Sequence, residues 1–172
     1  MKQLNLSWTD VENHMHEILR KIHLDNFRPD YVVGIVRGGL VPAVQISHYL
    51  KVPLYTQKIC LRDGGDVEHA GWTAEEAFGV FQQGMGYEGK KSLVVDDIND
   101  SGATFEWLKK DWESGCHPNN RERWQEIWHK SVRFAALIDN IQSPFSVDYA
   151  SKEINKAEED VWINFPWECW WT

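Results

Sequence analysis

Residues Tyr31-Val32-Val33-Gly34-Ile35-Val36 are apolar at consecutive positions and rich in β-branched side chains. A strand with one wet face alternates apolar and polar residues, whereas this run reads as a strand buried on both faces. Pro29 marks the turn before it, and residues 8–24 form an amphipathic helix with Val11, Met15, Ile18, Leu19 and Ile22 on one stripe. Ser7 or Thr9 can cap that helix. After Arg37-Gly38-Gly39, residues 40–50 read as a helix with Pro42 in its first turn.

The pattern then repeats. Leu54 to Ile59 is a second strand, entered through Pro53, and Ser92 to Val95 a third that ends in Asp96-Asp97. Residues 103–114 form a helix closed by Ser114-Gly115. Pro118-Asn119-Asn120 is a turn, and residues 121–130 form a short helix. Val132 to Ile138 is a fourth strand, and 161–168 is a last aromatic segment. Strands alternating with helices predict an α/β fold: a mainly parallel twisted sheet flanked by helices on both faces. Ligands of such sheets bind beyond the carboxyl ends of the strands, where the loops after Val36 and Val95 both lie.

Composition bounds the rest. The 172 residues suit one domain spanning 1–172, with 62–90 a long mobile loop. A net charge of -8 speaks against a nucleic-acid partner, which needs clustered Lys and Arg. Cys60, Cys116 and Cys169 are scattered and odd in number, so no zinc site or disulfide framework is expected, and a reducing cytoplasm fits. Residues 1–20 carry Asp10, Glu12 and Glu17 without an apolar run, so neither a signal peptide nor a membrane partner is expected. Trp167, Trp170 and Trp171 crowd the end of the chain and should pack on the fold, another subunit or a ligand.

The chemistry concentrates in Val94-Val95-Asp96-Asp97-Ile98-Asn99-Asp100-Ser101-Gly102-Ala103-Thr104. A buried strand delivers two adjacent carboxylates, and a tight turn of small residues then opens a helix. The backbone amides of Asp100 to Thr104, the hydroxyls of Ser101 and Thr104 and the helix N-terminus make a phosphate cradle. Asp96 and Asp97 cannot bind phosphate directly, but they can accept from sugar hydroxyls or hold Mg²⁺. Phosphate, sugar diol and metal together suggest a ribose 5-phosphate ligand.

This stretch resembles the phosphoribosyl pyrophosphate (PRPP) signature of type I phosphoribosyltransferases. Val33 to Pro42 resembles the pyrophosphate loop of the same family, closest to its xanthine and hypoxanthine-guanine branch. Trp162-Ile163-Asn164-Phe165-Pro166-Trp167-Glu168 resembles the segment of that branch that closes over the purine, and Leu4 to Leu19 its N-terminus. The resemblance implies a Mg²⁺-dependent transferase acting on PRPP and a purine-like base in purine salvage, with 139–172 as a small base-binding hood. It implies a homo-oligomer, dimer or tetramer.

The roles implied are specific. Asp96 and Asp97 hold the ribose hydroxyls and organise Mg²⁺, and Asp100, Ser101, Gly102, Ala103 and Thr104 wrap the 5′-phosphate. Asp100 also serves as the catalytic proton acceptor for the base. Arg37 and Gly38 meet the pyrophosphate, across a non-proline cis peptide at Val36–Arg37. Trp162 stacks on the base and Ile163 offers backbone contacts. Asn140, or Asp139 beside it, stands where the branch has a lysine that reads the base, so the choice of base is left open. Arg62 and Asp63 begin a loop that could cover the pyrophosphate. A PRPP-binding regulator without strong transferase activity, and a protein using the fold only for assembly, are the competing readings.

Overall fold

The computed structural model describes residues 1–62, 65–83, 86–115 and 124–169. Asp63, Cys116, the turn expected at 118–120, and Trp170 and Trp171 lie outside the described residues. Strand β1 (Lys2–Asn5) leads into helix α1 (Trp8–Leu24), strand β2 (Tyr31–Val36), helix α2 (Leu40–Leu50) and strand β3 (Leu54–Cys60). Next come strand β4 (Asp66–Val67), helix α3 (Gly71–Phe78), and strands β5 (Val80–Gln82) and β6 (Gly86–Glu88). Strand β7 (Ser92–Asn99), helix α4 (Ala103–Gly115), helix α5 (Trp124–Ile127) and strand β8 (Val132–Asn140) follow. Strand β9 (Tyr149–Ile154), strand β10 (Val161–Asn164) and helix α6 (Pro166–Cys169) complete the described chain.

The central sheet runs β4-β3-β2-β7-β8-β9 among the described residues. Every pairing is parallel except the short β3–β4 one. Successive side chains alternate faces, and both faces are dry. Val32, Leu93, Val95, Ala135 and Leu137 meet α1 and α2 through Ile18, Ile22 and Ile46. Tyr31, Val33, Val94 and Phe134 point the other way, onto Phe105, Leu108 and Trp112 of α4 and Ala74 and Ala77 of α3. That is the expected mainly parallel sheet flanked by helices.

Helix α1 begins as its capping chemistry dictates. The Ser7 hydroxyl accepts from the Asp10 amide at 3.1 Å, and the Asp10 carboxylate accepts from the Ser7 amide at 2.8 Å. Three expectations need correction. Strand β7 does not end at Val95: it continues through both acids to Asn99, because β8 runs as far alongside it and pairs Ile98 with Ile138. Residues 62–90 are not one loop, since α3 buries Ala74 and Ala77 within them. The hood does not begin at 139, because β9 is the edge strand of the central sheet. What stands over the sheet edge is β10, paired in parallel with β1, and α6 behind it.

Candidate active site

Strands β2 and β7 are neighbours, so the loop after Val36 and the acids of β7 share one edge of the sheet. The Val36–Arg37 peptide is cis. Gly38 and Gly39 lie flat against the acid pair. A Cβ on Gly38 would fall 1.8 Å from Asp97 Oδ2, and one on Gly39 would fall 2.6 Å from Asp96 Cα and from the Val95 carbonyl oxygen. Only hydrogen at these positions lets the two loops converge.

Arg37, Gly38, Asp96, Asp97, Asp100 to Thr104, Trp162 and Ile163 all line one cleft of about 1130 Å³. Asp96 is 9% exposed, and its carboxylate accepts the Asp97 amide at 2.9 Å. Burial, and then the charge of Asp97, hold its carboxyl well above the usual carboxylate range. Burial also pushes Asp97 up to about 6, with Glu168 adding to the repulsion. Among the described residues no lysine or arginine pairs with either acid.

A hard divalent cation fits such a pair. No group of three or more His, Cys, Asp or Glu converges on a metal position among the described residues. The protein would therefore supply carboxylates from this pair, and substrate and water oxygens the remaining ligands.

The turn after β7 is held from beneath. Asn99 is buried, and its Nδ2 donates to Asp139 Oδ1 and to the Phe145 carbonyl, each at 2.7 Å. Ser143 Oγ donates to Asn99 Oδ1 at 3.2 Å. Gly102 has φ +76, and a Cβ there would sit 2.7 Å from Ser143 Oγ. Glycine is thus required twice over, by backbone conformation and by packing. The amides of Ser101, Gly102, Ala103 and Thr104 meet no protein acceptor among the described residues, and α4 starts at Ala103. The residues that carry these four donors, at the N-terminus of α4, line the cleft that holds Asp96 and Asp97.

Trp162 is 39% exposed, and the Arg62 guanidinium lies 5.8 Å from its ring centroid. The Ile163 side chain is buried in the core under β1, which leaves its main chain for the cleft. Trp167 stacks on Phe165 with centroids 4.7 Å apart and meets Trp8 at 5.9 Å, so this part of the aromatic tail packs on the fold.

Asn140 is placed differently. It is buried and does not line the cleft; its amide is engaged by Asp100, Gln142 and Lys156. Lys58, Lys156 and Glu168 line the cleft, although the sequence pattern did not single them out for a role there. Lys58 was within reach of sequence reasoning, because it sits at the carboxyl end of β3, opposite Val36. Lys156 follows an edge strand with no clear periodicity and had no such signal.

The phosphoribosyl transferase domain matches over residues 7–171, and the chain belongs to that family. It is 26% identical to the xanthine-guanine phosphoribosyltransferase of Cereibacter sphaeroides, over 97% of this chain and 87% of that protein. It is 23% identical to the hypoxanthine-guanine phosphoribosyltransferase of Schizosaccharomyces pombe, over 97% and 89%. The purine phosphoribosyltransferase of Pyrococcus horikoshii superposes with a TM-score of 0.68 at 24% identity, covering 98% of this chain and 95% of that one. The xanthine-guanine-hypoxanthine enzyme of Helicobacter pylori superposes at 0.66 and 19% identity, covering 97% and 94%.

Proposed function

We propose that this protein transfers the phosphoribosyl group of PRPP to a purine base and releases pyrophosphate, with Mg²⁺ as cofactor. The observation that carries this reading is the convergence of the unpartnered amides of 101–104 with the buried Asp96–Asp97 pair on one cleft. The amides, with the Ser101 and Thr104 hydroxyls, take the 5′-phosphate. Asp96 and Asp97 accept from the ribose 2′- and 3′-hydroxyls. Arg37 and the main chain around Gly38 meet the pyrophosphate. When bound, Mg²⁺ supplies positive charge against that leaving group.

The bond from the anomeric carbon to the pyrophosphate oxygen breaks, and a base nitrogen bonds to the same carbon. The proton released from the base's imidazole ring passes to Asp100, which stands at the start of the phosphate turn. Trp162 offers a ring face for stacking, worth about 1–3 kcal/mol per base. Arg62, already above Trp162, is placed to keep water from the electron-poor ribose carbon.

The test is pyrophosphate release from PRPP and Mg²⁺ with hypoxanthine, guanine, xanthine, adenine and the pyrimidines in turn. Release with a purine and none with the pyrimidines is expected. PRPP binding without turnover on any base would replace this reading with a regulatory one.

A further inference from the structure

Lys58, near the end of β3, pairs in register with Val36, the residue before the cis peptide to Arg37. Neighbouring strands lie about 4.8 Å apart, so Lys58 stands beside the start of the Arg37-Gly38-Gly39 loop. It lines the cleft, and its ammonium is ion-paired with Asp66, the first residue of β4, which lines the same cleft. The two side chains are 49% and 68% exposed, and an ion pair in water contributes little to stability. Strand β4 does not depend on it. The Glu68 amide donates to the Lys58 carbonyl at 2.8 Å, and Gln57 Nε2 donates to the Glu68 carbonyl at 3.0 Å. Gln57 is itself buried and donates to Asp111 Oδ2 on α4 at 3.2 Å. Main-chain pairing of Ile59 with Val67 and of Cys60 with Asp66 completes the attachment. The Lys58–Asp66 pair can therefore open while 66–68 keeps its place on the sheet.

We propose that Asp66 is an internal competitor for Lys58: the pyrophosphate group draws the ammonium off Asp66 when it binds, and Asp66 takes it back when pyrophosphate leaves. This rests on the transfer reading above, in which Arg37 and Gly38 meet the pyrophosphate. Lys58 comes to the same end of the cleft from the neighbouring strand. An ammonium on a four-carbon stem is a mobile point charge with three donors, which suits a change of partner. The incoming group carries several negative charges against the single one of Asp66, and hydrogen bonds between ammonium and phosphoryl oxygen are charge-assisted. Binding thus exchanges one ion pair for a stronger one. In the free protein Asp66 holds the lysine close to where it is needed and neutral in net effect. During release the same carboxylate competes with the departing anion, so pyrophosphate is held less tightly than Arg37 and Lys58 together would hold it.

The experiment is a double-mutant cycle read by calorimetric binding of inorganic pyrophosphate with Mg²⁺, which needs no turnover. It is run at an ionic strength of about 0.15 M, where charges beyond about 8 Å are largely screened. Lys58→Met should weaken pyrophosphate by about 10-fold or more, the loss of a charge-assisted hydrogen bond. Asp66→Asn should tighten it by about two- to fivefold, the range of an exposed ion pair. In the Lys58→Met background Asp66→Asn should leave the affinity within about 1.5-fold, because Asp66 then has no cation to withhold. Lys58→Gln serves as that background if the Met variant does not fold. Binding of ribose 5-phosphate, which has no pyrophosphate to reach Lys58, should be the same in every variant. Pyrophosphate affinity that ignores the loss of Lys58 overturns the proposal. So does an Asp66→Asn gain that is as large without Lys58 as with it, which would be a general effect of removing charge. A wild type that shows this cycle yet releases no pyrophosphate from PRPP with any base discards the transfer reading and leaves the exchange of partners standing.

Discussion

Burying Asp97 beside Asp96 works against the ligand-free protein, and the pH at which it does so follows from its titration. The carboxyl ordinarily titrates at 3.8, and burial pushes it up to about 6 in the fold. Between those values the folded chain holds a proton that the unfolded chain has lost, so stability falls as pH rises through the window. Below it both states are protonated and the effect vanishes; above it the penalty is complete. Asp97→Asn keeps the shape that Gly38 packs against and removes the charge. Its thermal midpoint should exceed that of the wild type by about 2–6 °C at pH 7.5 and match it near pH 4. An Asn variant that melts lower at pH 7.5 would mean the carboxylate is paid for inside the protein after all. Asp100 predicts a different signature. Asp100 being the proposed proton acceptor, Asp100→Asn should slow turnover by about 100-fold or more, with PRPP affinity changed only a few-fold. Turnover equal to wild type would remove it from that role.

The base site proposed above depends on an element that lies far from it in sequence. Strand β1 pairs Gln3 with Trp162 and Leu4 with Ile163, so residues 2–5 hold the strand that carries Trp162, the ring proposed to stack on the base. Removing residues 1–5 leaves Leu6 and the Ser7 cap of α1 in place. The shortened chain should keep its PRPP affinity while KM for the base rises about tenfold, the size of one lost stacking contact. An unchanged base KM would mean that β10 stands without β1. This dependence marks where the sequence was legible. Helices α1 and α2 and strand β2 could be placed to the residue, because a capping serine, a helical stripe and a doubly buried run are all local signals. The acid pair and the tight turn that opens α4 were legible for the same reason. Strand β1, Lys-Gln-Leu-Asn, is largely exposed and forms only through a partner about 160 residues away. Edge strand β9, Tyr-Ala-Ser-Lys-Glu-Ile, buries Tyr149 and otherwise carries polar or half-covered residues, so its alternation is weak. Helix α3 has no capping side chain and begins at a glycine. Asn140 was open to either role because a buried asparagine and a ligand-binding one look alike until their neighbours are known.

At the scale of the whole molecule the charge is unfavourable for the proposed substrate. The chain carries 18 Lys and Arg against 26 Asp and Glu, a net charge of -8. The cleft does not reverse that sign. Among its described residues, Arg37, Lys58, Arg62 and Lys156 face Asp66, Asp96, Asp97, Asp100 and Glu168. Lys58 is spent on Asp66 and Lys156 on Asp100. Arg37 and Arg62 are left against Asp96, Asp97 and Glu168, before a polyanion such as PRPP enters. Four amides and a helix dipole favour one phosphate, but they do not offset repulsion between the acid pair and a pyrophosphate beside it. A divalent cation does, because it converts both acids from repelling groups into ligands. Chelating divalent ions should therefore weaken PRPP binding by at least ~100-fold in calorimetry at constant ionic strength. The double variant Asp96→Asn, Asp97→Asn separates this cause from a general need for counterions. With the acids neutral, it should bind inorganic pyrophosphate more tightly than the wild type in EDTA, and adding Mg²⁺ should gain it little. If the wild type binds PRPP equally well with and without Mg²⁺, the acid pair is compensated in another way and its place in the metal site is lost.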